Sequence, residues 1–260
     1  KEGKNFASLI YKSDKEIVLG KEQYKELIET SLKNGMFKFA GQKVESDFAE
    51  LVHRELYIRL VDSEGRWQIA SYFMPMVNEI KMTVEIDLYV LNKFADMLRG
   101  GMLEKMQYAI NLGKDILSSA QHFNEFENAL KKIKQYASAK IYIEIPNKDD
   151  IDTAVLVGFH QRLRSLGFGF GLDHFGFDAK SIERLSAVNP DYVKIPAANL
   201  IDFLGGEASE QRSWFEAMMM SRGVKIIATG VENDEQKQNL QNLQINSMQG
   251  ILISEIENIG

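Results

Sequence analysis

Cysteine is absent from this 260-residue chain, so there is no disulfide framework and no thiolate chemistry, as suits a reducing compartment. Proline is scarce at four residues, and no Pro-, Gly- or Ser-rich linker and no low-complexity tract interrupts the middle of the chain. Basic residues do not prevail: 31 Lys and Arg stand against 37 Asp and Glu, for a net charge of -6. That balance excludes a nucleic acid polymer as partner, because duplex binding rests on many cations at phosphates. A single small anion is not excluded, since it needs only one or two local cations. No run approaches the ~18 apolar residues of a membrane span, and the start shows no signal-peptide pattern. His53, His122 and His160 lack metal-ligand spacing and read as surface or packing residues.

What is present is the material of a packed domain: 45% hydrophobic and 10% aromatic residues exclude disorder as the main state. The chain opens at Lys1 and not at methionine, which reads as a piece of something longer. Gly3 to Tyr11 read as a short strand, Lys12 to Glu16 as a charged break, and a helix begins near Lys21 with Tyr24, Leu27, Ile28 and Leu32 at helical spacing. Residues 1–20 are therefore expected to be a linker or tail, and residues 21–260 one domain.

Within that domain, apolar runs predict strands at 37–44, 54–60, 107–112, 140–145, 168–173, 191–195, 224–229 and 246–252. Helical patterns fall near 79–100, 115–136, 149–166, 179–188, 210–222 and 233–243. Strands alternating with such helices argue for parallel pairing. Eight of them match an α/β, (β/α)8 TIM-like barrel, usually ~250 residues long. The first two strands are joined by a short connection with no helical pattern, so that pair is expected to be antiparallel. The spaced glycines of Gly167-Phe168-Gly169-Phe170-Gly171 read as close helix–strand packing. Met218, Met219 and Met220, beside Trp214 and Phe215, read as core first and a partner-facing patch second. Lys131-Lys132-Ile133-Lys134 reads as a solvated helix face.

Most strands end in a polar residue: Gln42, Asn111, Glu144, Asp173, Lys194, Thr229 with Glu232, and Gln249, while Glu55 and Arg59 lie on the second strand. In a barrel those ends meet on one face, where loops build the active site. So many polar groups in a closing layer are costly unless a ligand, ion or water satisfies them.

In order and spacing these residues resemble the EAL domain family, the cyclic di-GMP phosphodiesterase barrel, from about Glu22 to Ile253. The motifs stand here as Glu55-Leu56-Tyr57-Ile58-Arg59, Phe73-Met74-Pro75, Asn111-Leu112-Gly113, Glu144-Ile145-Pro146-Asn147, Asp173-His174-Phe175-Gly176-Phe177-Asp178, Lys194-Ile195-Pro196, Thr229-Gly230-Val231-Glu232 and Gln249-Gly250. Gly3-Lys4-Asn5 followed by a strand resembles the end of a GGDEF domain, which often precedes an EAL domain.

The resemblance implies two divalent cations held by carboxylates and an amide, which stabilise the attacking and leaving oxygens of a phosphodiester. The first-ion set carries over as Glu55, Asn111, Glu144 and Asp173, all oxygen donors compatible with a single Mg²⁺, Mn²⁺ or Ca²⁺. The second-ion set does not, because His174 replaces an aspartate and Thr229 replaces a glutamate. Thr229 lies 20 residues before Gln249, the spacing expected of the catalytic position. Threonine lacks the charge and basicity to help activate a water, and a neutral imidazole suits softer ions. The loop linking metal and dimer interface is also altered, at Asn147 and at Gly176-Phe177-Asp178. No metal and no hydrolysis are expected, for ~4 kcal/mol is already about a thousandfold in rate.

The implied ligand-binding positions remain. Gln42 and Arg59 come from the first two strands, with Arg59 as a fork for phosphate, and Lys194 is a second cation. The resemblance implies that Glu55, Asp173, Glu232 and Gln249 meet guanine edges, ribose hydroxyls or bridging waters, that Tyr57 and Phe175 stack on or pack beside a guanine, and that Asn111 and Glu144 complete the ligand-binding set. Within the family the pattern resembles the degenerate EAL domains of LapD-type membrane receptors. That implies a cyclic di-GMP receptor needing no cofactor, a homodimer in the ligand-bound state, a preceding GGDEF-like domain, and a cytoplasmic position in an inner-membrane protein. Two alternatives stay open here: an active phosphodiesterase, and an interaction scaffold that binds no nucleotide.

Overall fold

The computed structural model describes residues 20–46, 49–61, 65–117, 122–206 and 209–259, without the side chains of 209–211. The strand read at 3–11 and nearly all of the expected tail lie outside the described residues. Helix α1 (Lys21–Lys33) buries Tyr24, Leu27 and Ile28, the face that its spacing predicts. It leads into β1 (Phe37–Ser46) and β2 (Leu51–Val61), paired antiparallel from Phe37↔Leu60 to Val44↔His53. The first connection is thus a hairpin, as expected.

From β2 onward the ring runs parallel. β4 (Tyr108–Asn111), β5 (Ile141–Pro146), β6 (Gly169–Asp173), β7 (Tyr192–Pro196), β8 (Lys225–Thr229) and β9 (Ser247–Met248) follow in order. β9 then meets β1 antiparallel at Glu45↔Met248 and closes the barrel. One reversed strand therefore sits in an eight-stranded barrel. Two short strands that the apolar runs do not reveal lie against it: β3 (Trp67–Ile69) on the end of β2, and β10 (Glu257–Ile259) on β1.

The helices are shorter and more numerous than their patterns suggest. The 79–100 pattern spans the end of α2 (Ala70–Glu79) and all of α3 (Thr83–Arg99). The 115–136 pattern divides into a 3₁₀ helix at Lys114–Leu117 and α4 (Phe123–Tyr136). α5 (Thr153–Ser165) starts where the Asp152 carboxylate accepts from the amides of Ala154 and Val155, at 2.8 and 3.1 Å. α6 (Ala179–Val188) starts under Asp178 in the same way and ends at Asn189, in the left-handed region at φ 54° before Pro190. α7 (Ala197–Gly205), α8 (Ser209–Arg222) and α9 (Asp234–Asn242) complete the outer layer. Among the described residues no helix is long and apolar enough to cross a membrane.

The glycines of β6 correct an expectation. A Cβ on Gly169 would lie 2.2 Å from the Tyr142 ring, and one on Gly171 would lie 2.4 Å from the Tyr192 ring. They make room for neighbouring-strand tyrosines inside the barrel rather than for a helix. Tyr142, Tyr192 and the buried His53 pack together there, with the His53 and Tyr192 rings 5.2 Å apart. Burial and then Lys194 depress the His53 pKa to about 3. His53 and His160 are buried packing residues, the latter against Phe170. In α4, Ile133 is buried while Lys131, Lys132 and Lys134 are exposed. In α8, Phe215 and Met219 are buried, whereas Trp214 and Met220 are exposed.

Candidate functional site at the barrel mouth

Strand alternation puts His53, Glu55 and Tyr57 on one face of β2, and Tyr192 and Lys194 on one face of β7. Parallel registers then set Asn111 opposite Glu144 and Glu144 opposite Gly171, so the strand-end residues turn into one layer near the C-terminal mouth.

That layer is a single bonded cluster. The Lys194 ammonium lies 2.6 Å from Glu55 Oε2 and 2.7 Å from Glu144 Oε2. The Asn111 amide donates to Glu55 Oε1. Gln249 Nε2 donates to Glu55 Oε2 at 2.6 Å, and the Tyr57 hydroxyl donates to the same oxygen at 2.8 Å. Tyr192 donates to Glu144 Oε1 at 2.5 Å. Gln42 ties in through the Tyr57 hydroxyl and is itself held by the Ser254 carbonyl, at 3.2 and 2.9 Å. Glu55, Glu144, Lys194, Gln42 and Gln249 are all buried.

One ammonium serves two buried carboxylates, and they titrate apart. Burial alone would raise Glu55, but the Lys194 charge and the hydrogen bonds from Lys194, Asn111 and Gln249 prevail and hold it down at about 2. Burial dominates at Glu144, reinforced against Lys194 by the charges of Glu55 and Asp173, and pushes it up to about 8. Burial also acts to lower Lys194, yet Glu144, Glu55 and Asp173 together raise it. The two carboxylates that share the Lys194 ammonium are thus shifted in opposite directions, Glu55 down and Glu144 up.

The rim is built differently. His174, exposed and at φ 54°, turns its Nδ1 to 2.7 Å from Asp173 Oδ2, and this hydrogen bond raises the imidazole pKa. Thr229, at the end of β8, is half-buried, and Glu232 is exposed on the loop beyond it. Glu232 joins none of the floor side chains among the described residues. Arg59 is 9% exposed, donates to the Ile58 carbonyl at 3.3 Å and lies 5.5 Å over the Tyr57 ring. No carboxylate pairs with it among the described residues.

Two expected roles change with this geometry. Phe175 is 1% exposed within the core and offers no free face for stacking. Tyr57 spends its hydroxyl on Glu55, Gln42 and Gln249, so it holds the floor together as well as bordering the mouth. Sequence reasoning missed Tyr192, although its position two residues before Lys194 on one strand was the available signal.

The altered loop has its own anchors. Phe177 stacks on Phe203 with centroids 3.7 Å apart and meets Phe215 edge-on. Asp178 caps α6, and the Asn147 amide donates to Ser181 Oγ at 2.7 Å while its oxygen accepts from Arg184 at 2.9 Å. As they stand, the first-ion residues do not fit a cation. Lys194 fills the space between Glu55 and Glu144, the Asn111 amide nitrogen faces Glu55, and among the described residues no three acidic or histidine groups converge.

Fold and floor together define a TIM-type barrel with one reversed strand and a charged, polar mouth. The chain belongs to the EAL domain family, whose model matches residues 26–255. It is 22% identical over 233 residues to the cyclic di-GMP phosphodiesterase PdeF of Escherichia coli, covering 88% of this chain and 31% of that protein. It is 25% identical over 255 residues to the cyclic di-GMP phosphodiesterase PdeA of Borreliella burgdorferi, covering 89% of this chain and 37% of that one. The chain thus spans about a third of the length of these relatives. Among solved structures, the S helix-GGDEF-EAL portion of Vibrio cholerae LapD, in its apo form, superposes with a TM-score of 0.76 at 25% identity, covering 93% of this chain and 59% of that one. The EAL domain of Xanthomonas citri FimX, in complex with c-diGMP, shares the fold with a TM-score of 0.74 at 18% identity, covering 91% and 94%.

Proposed function

We propose that this barrel is a cyclic di-GMP receptor that binds the dinucleotide without hydrolysing it. One observation carries the reading. Above an intact Glu55–Lys194–Glu144 floor, the two positions that the family resemblance assigns to the second ion hold His174, turned onto Asp173, and Thr229, which has no charge. Binding needs cations and hydrogen-bonding groups at the mouth, and Arg59, Lys194, Gln42 and Gln249 supply them. Cleavage by the two-ion route needs ligands that these two positions no longer give. Asn111, Asp173 and Glu232 complete the ligand contacts in this reading, and no resident metal takes part in it.

The likeness to LapD supports the receptor over the enzyme, and the names of PdeF and PdeA keep hydrolysis as the result that would displace it. In the same proposal, residues 1–20 lead in from a GGDEF-like domain, the barrel lies on the cytoplasmic side of an inner-membrane protein, and ligand binding favours a homodimer. Coupling of that kind requires the ligand to bind the dimer more tightly than the closed form.

Calorimetric titration of the chain with cyclic di-GMP, with and without chelator, tests the reading. Saturable one-site heat in both conditions is expected, with no linear product in Mg²⁺ or Mn²⁺ above a Glu55→Ala control. Metal-dependent product establishes the enzyme instead, and the absence of heat at high micromolar ligand removes the receptor.

A further inference from the structure

The end of the barrel opposite the mouth carries its own cluster of charge. Lys140 enters β5, Asp191 enters β7, and Arg222 and Gly223 lead into β8, so all lie at the N-terminal ends of parallel strands. Together with His160 and Arg164 of α5 they line a cavity of about 380 Å³, within the ~300–1,000 Å³ usual for small-molecule sites. His160, 4% exposed, forms a polar part of its wall.

The charges do not cancel. Asp191 is the only carboxylate among the residues lining this cavity, and it is already occupied by the Lys140 ammonium and by the Phe170 amide at 2.8 Å. Arg222 donates to the Ser186 carbonyl at 2.9 Å, which leaves its charge unneutralised. Arg164 is exposed and meets no carboxylate among the described residues. Three permanent cations thus share one recess with one carboxylate, on a chain whose net charge is -6. Arg164 and Arg222 each lie in the last turn of a helix, where a cation complements the helix dipole. The dipole explains each alone but not their convergence with Lys140 on one concave surface.

We infer that this recess at the base of the barrel is a second ligand site, which takes a small soluble phosphate-bearing anion on the guanidinium groups of Arg164 and Arg222. Guanidinium forks match phosphate oxygens in pairs, and the concave wall limits the ligand to a small molecule. The site is separate from the mouth and does not depend on what the mouth binds.

Pyrophosphate titrated into the whole chain at constant ionic strength tests this, followed by calorimetry. Saturable one-site binding is expected, undiminished when cyclic di-GMP is already saturating. Arg164→Gln, at an exposed position without a partner carboxylate, should weaken it at least fivefold, and Arg164→Gln with Arg222→Gln at least twentyfold, with the far-ultraviolet dichroism and the cyclic di-GMP affinity unchanged. Failure to saturate by 10 mM, equal binding in the double variant, or loss of binding on adding cyclic di-GMP each overturns the assignment. A parallel arm with phosphatidylglycerol vesicles separates the sources of phosphate. Arginine-dependent vesicle binding without pyrophosphate saturation would assign the cations to a membrane surface and overturn the soluble ligand.

Discussion

The floor and the rim of the mouth obey different constraints. On the floor, Glu55, Glu144 and Lys194 are buried and bonded to one another and to Asn111, Gln249 and Tyr192. On the rim, His174 and Glu232 are exposed, and Thr229 is half-buried. Removing one floor charge strands another in a medium of low dielectric, whereas exchanging a rim residue strands nothing. A barrel can therefore lose its rim chemistry and keep its fold, but it cannot lose its floor so cheaply. Persistence of the floor is thus weak evidence of catalysis, and the substitutions at the rim are the informative ones.

The sharpest way to break this comparison is Lys194→Met. It leaves Glu55 and Glu144 without their shared cation, and breaking a buried pair costs about 3–5 kcal/mol. The urea midpoint should fall accordingly, and the deficit should widen above pH 8, where Glu144 can no longer take refuge in protonation. A loss below about 1 kcal/mol would show that the floor does not hold the barrel together.

Arg59→Ala probes a buried cation near the mouth that has no carboxylate partner among the described residues. It should lower cyclic di-GMP affinity about tenfold to a hundredfold, as expected for one charge-assisted hydrogen-bonding group worth about 1.5–3 kcal/mol, with little change in the urea midpoint. An equal affinity would assign Arg59 to the barrel wall alone. Glu232→Ala, on the exposed loop, should weaken binding only a few-fold, and no change would remove it from the contact set.

Exchange in the other direction sharpens the comparison. His174→Asp with Thr229→Glu restores the residue types that the resemblance assigns to the second ion. Because His174 is exposed and Thr229 only half-buried, the unfolding free energy should stay within about 1 kcal/mol of the parent. Mn²⁺-dependent linear product should rise at least tenfold over the parent chain. No gain in product would place the block to hydrolysis elsewhere, with the loop anchored by Phe177 and Asp178 as the next candidate.

How far the sequence announces all this depends on what sets each element. The strands of the parallel ring are apolar runs, so their positions are legible within a few residues. α6 is legible to the residue because Asp178 starts it and Asn189-Pro190 stops it. α7 is not, since Ala197–Gly205 follows Lys194-Ile195-Pro196 without a break, and its burial decides it rather than its pattern. The run at 246–252 shrinks to Ser247–Met248, because Gly250 lies against the Val231 backbone and turns the chain. β3 and β10 are three residues each and owe their form to the strands beside them. At the mouth, strand ends reveal which polar residues meet, but not that one lysine bridges two glutamates. That bridge depends on side-chain reach across β2, β5 and β7, which no local pattern encodes.

The smallest effect concerns the proton on Glu144. An unfolded glutamate has a pKa near 4.5, and the folded site is raised to about 8. Between those values the folded state holds a proton that the unfolded state lacks, so stability declines as pH rises through this window. Glu55, lowered to about 2, acts oppositely: its contribution is present above 4.5 and lost as pH falls toward 2. His53, lowered to about 3 in the fold, also penalises acid. From pH 7 to 9 neither changes its protonation appreciably, but the raised His174 imidazole sheds its proton with the same sign as Glu144, so only the comparison with a Glu144 variant isolates that residue. The urea midpoint of the parent should therefore drop between pH 7 and pH 9, and Glu144→Gln, which cannot ionise, should flatten that drop. Lys194 keeps its charge throughout, because its pKa is raised. Parallel curves for parent and variant would mean that Glu144 is ionised from the outset and that Lys194 compensates both carboxylates equally.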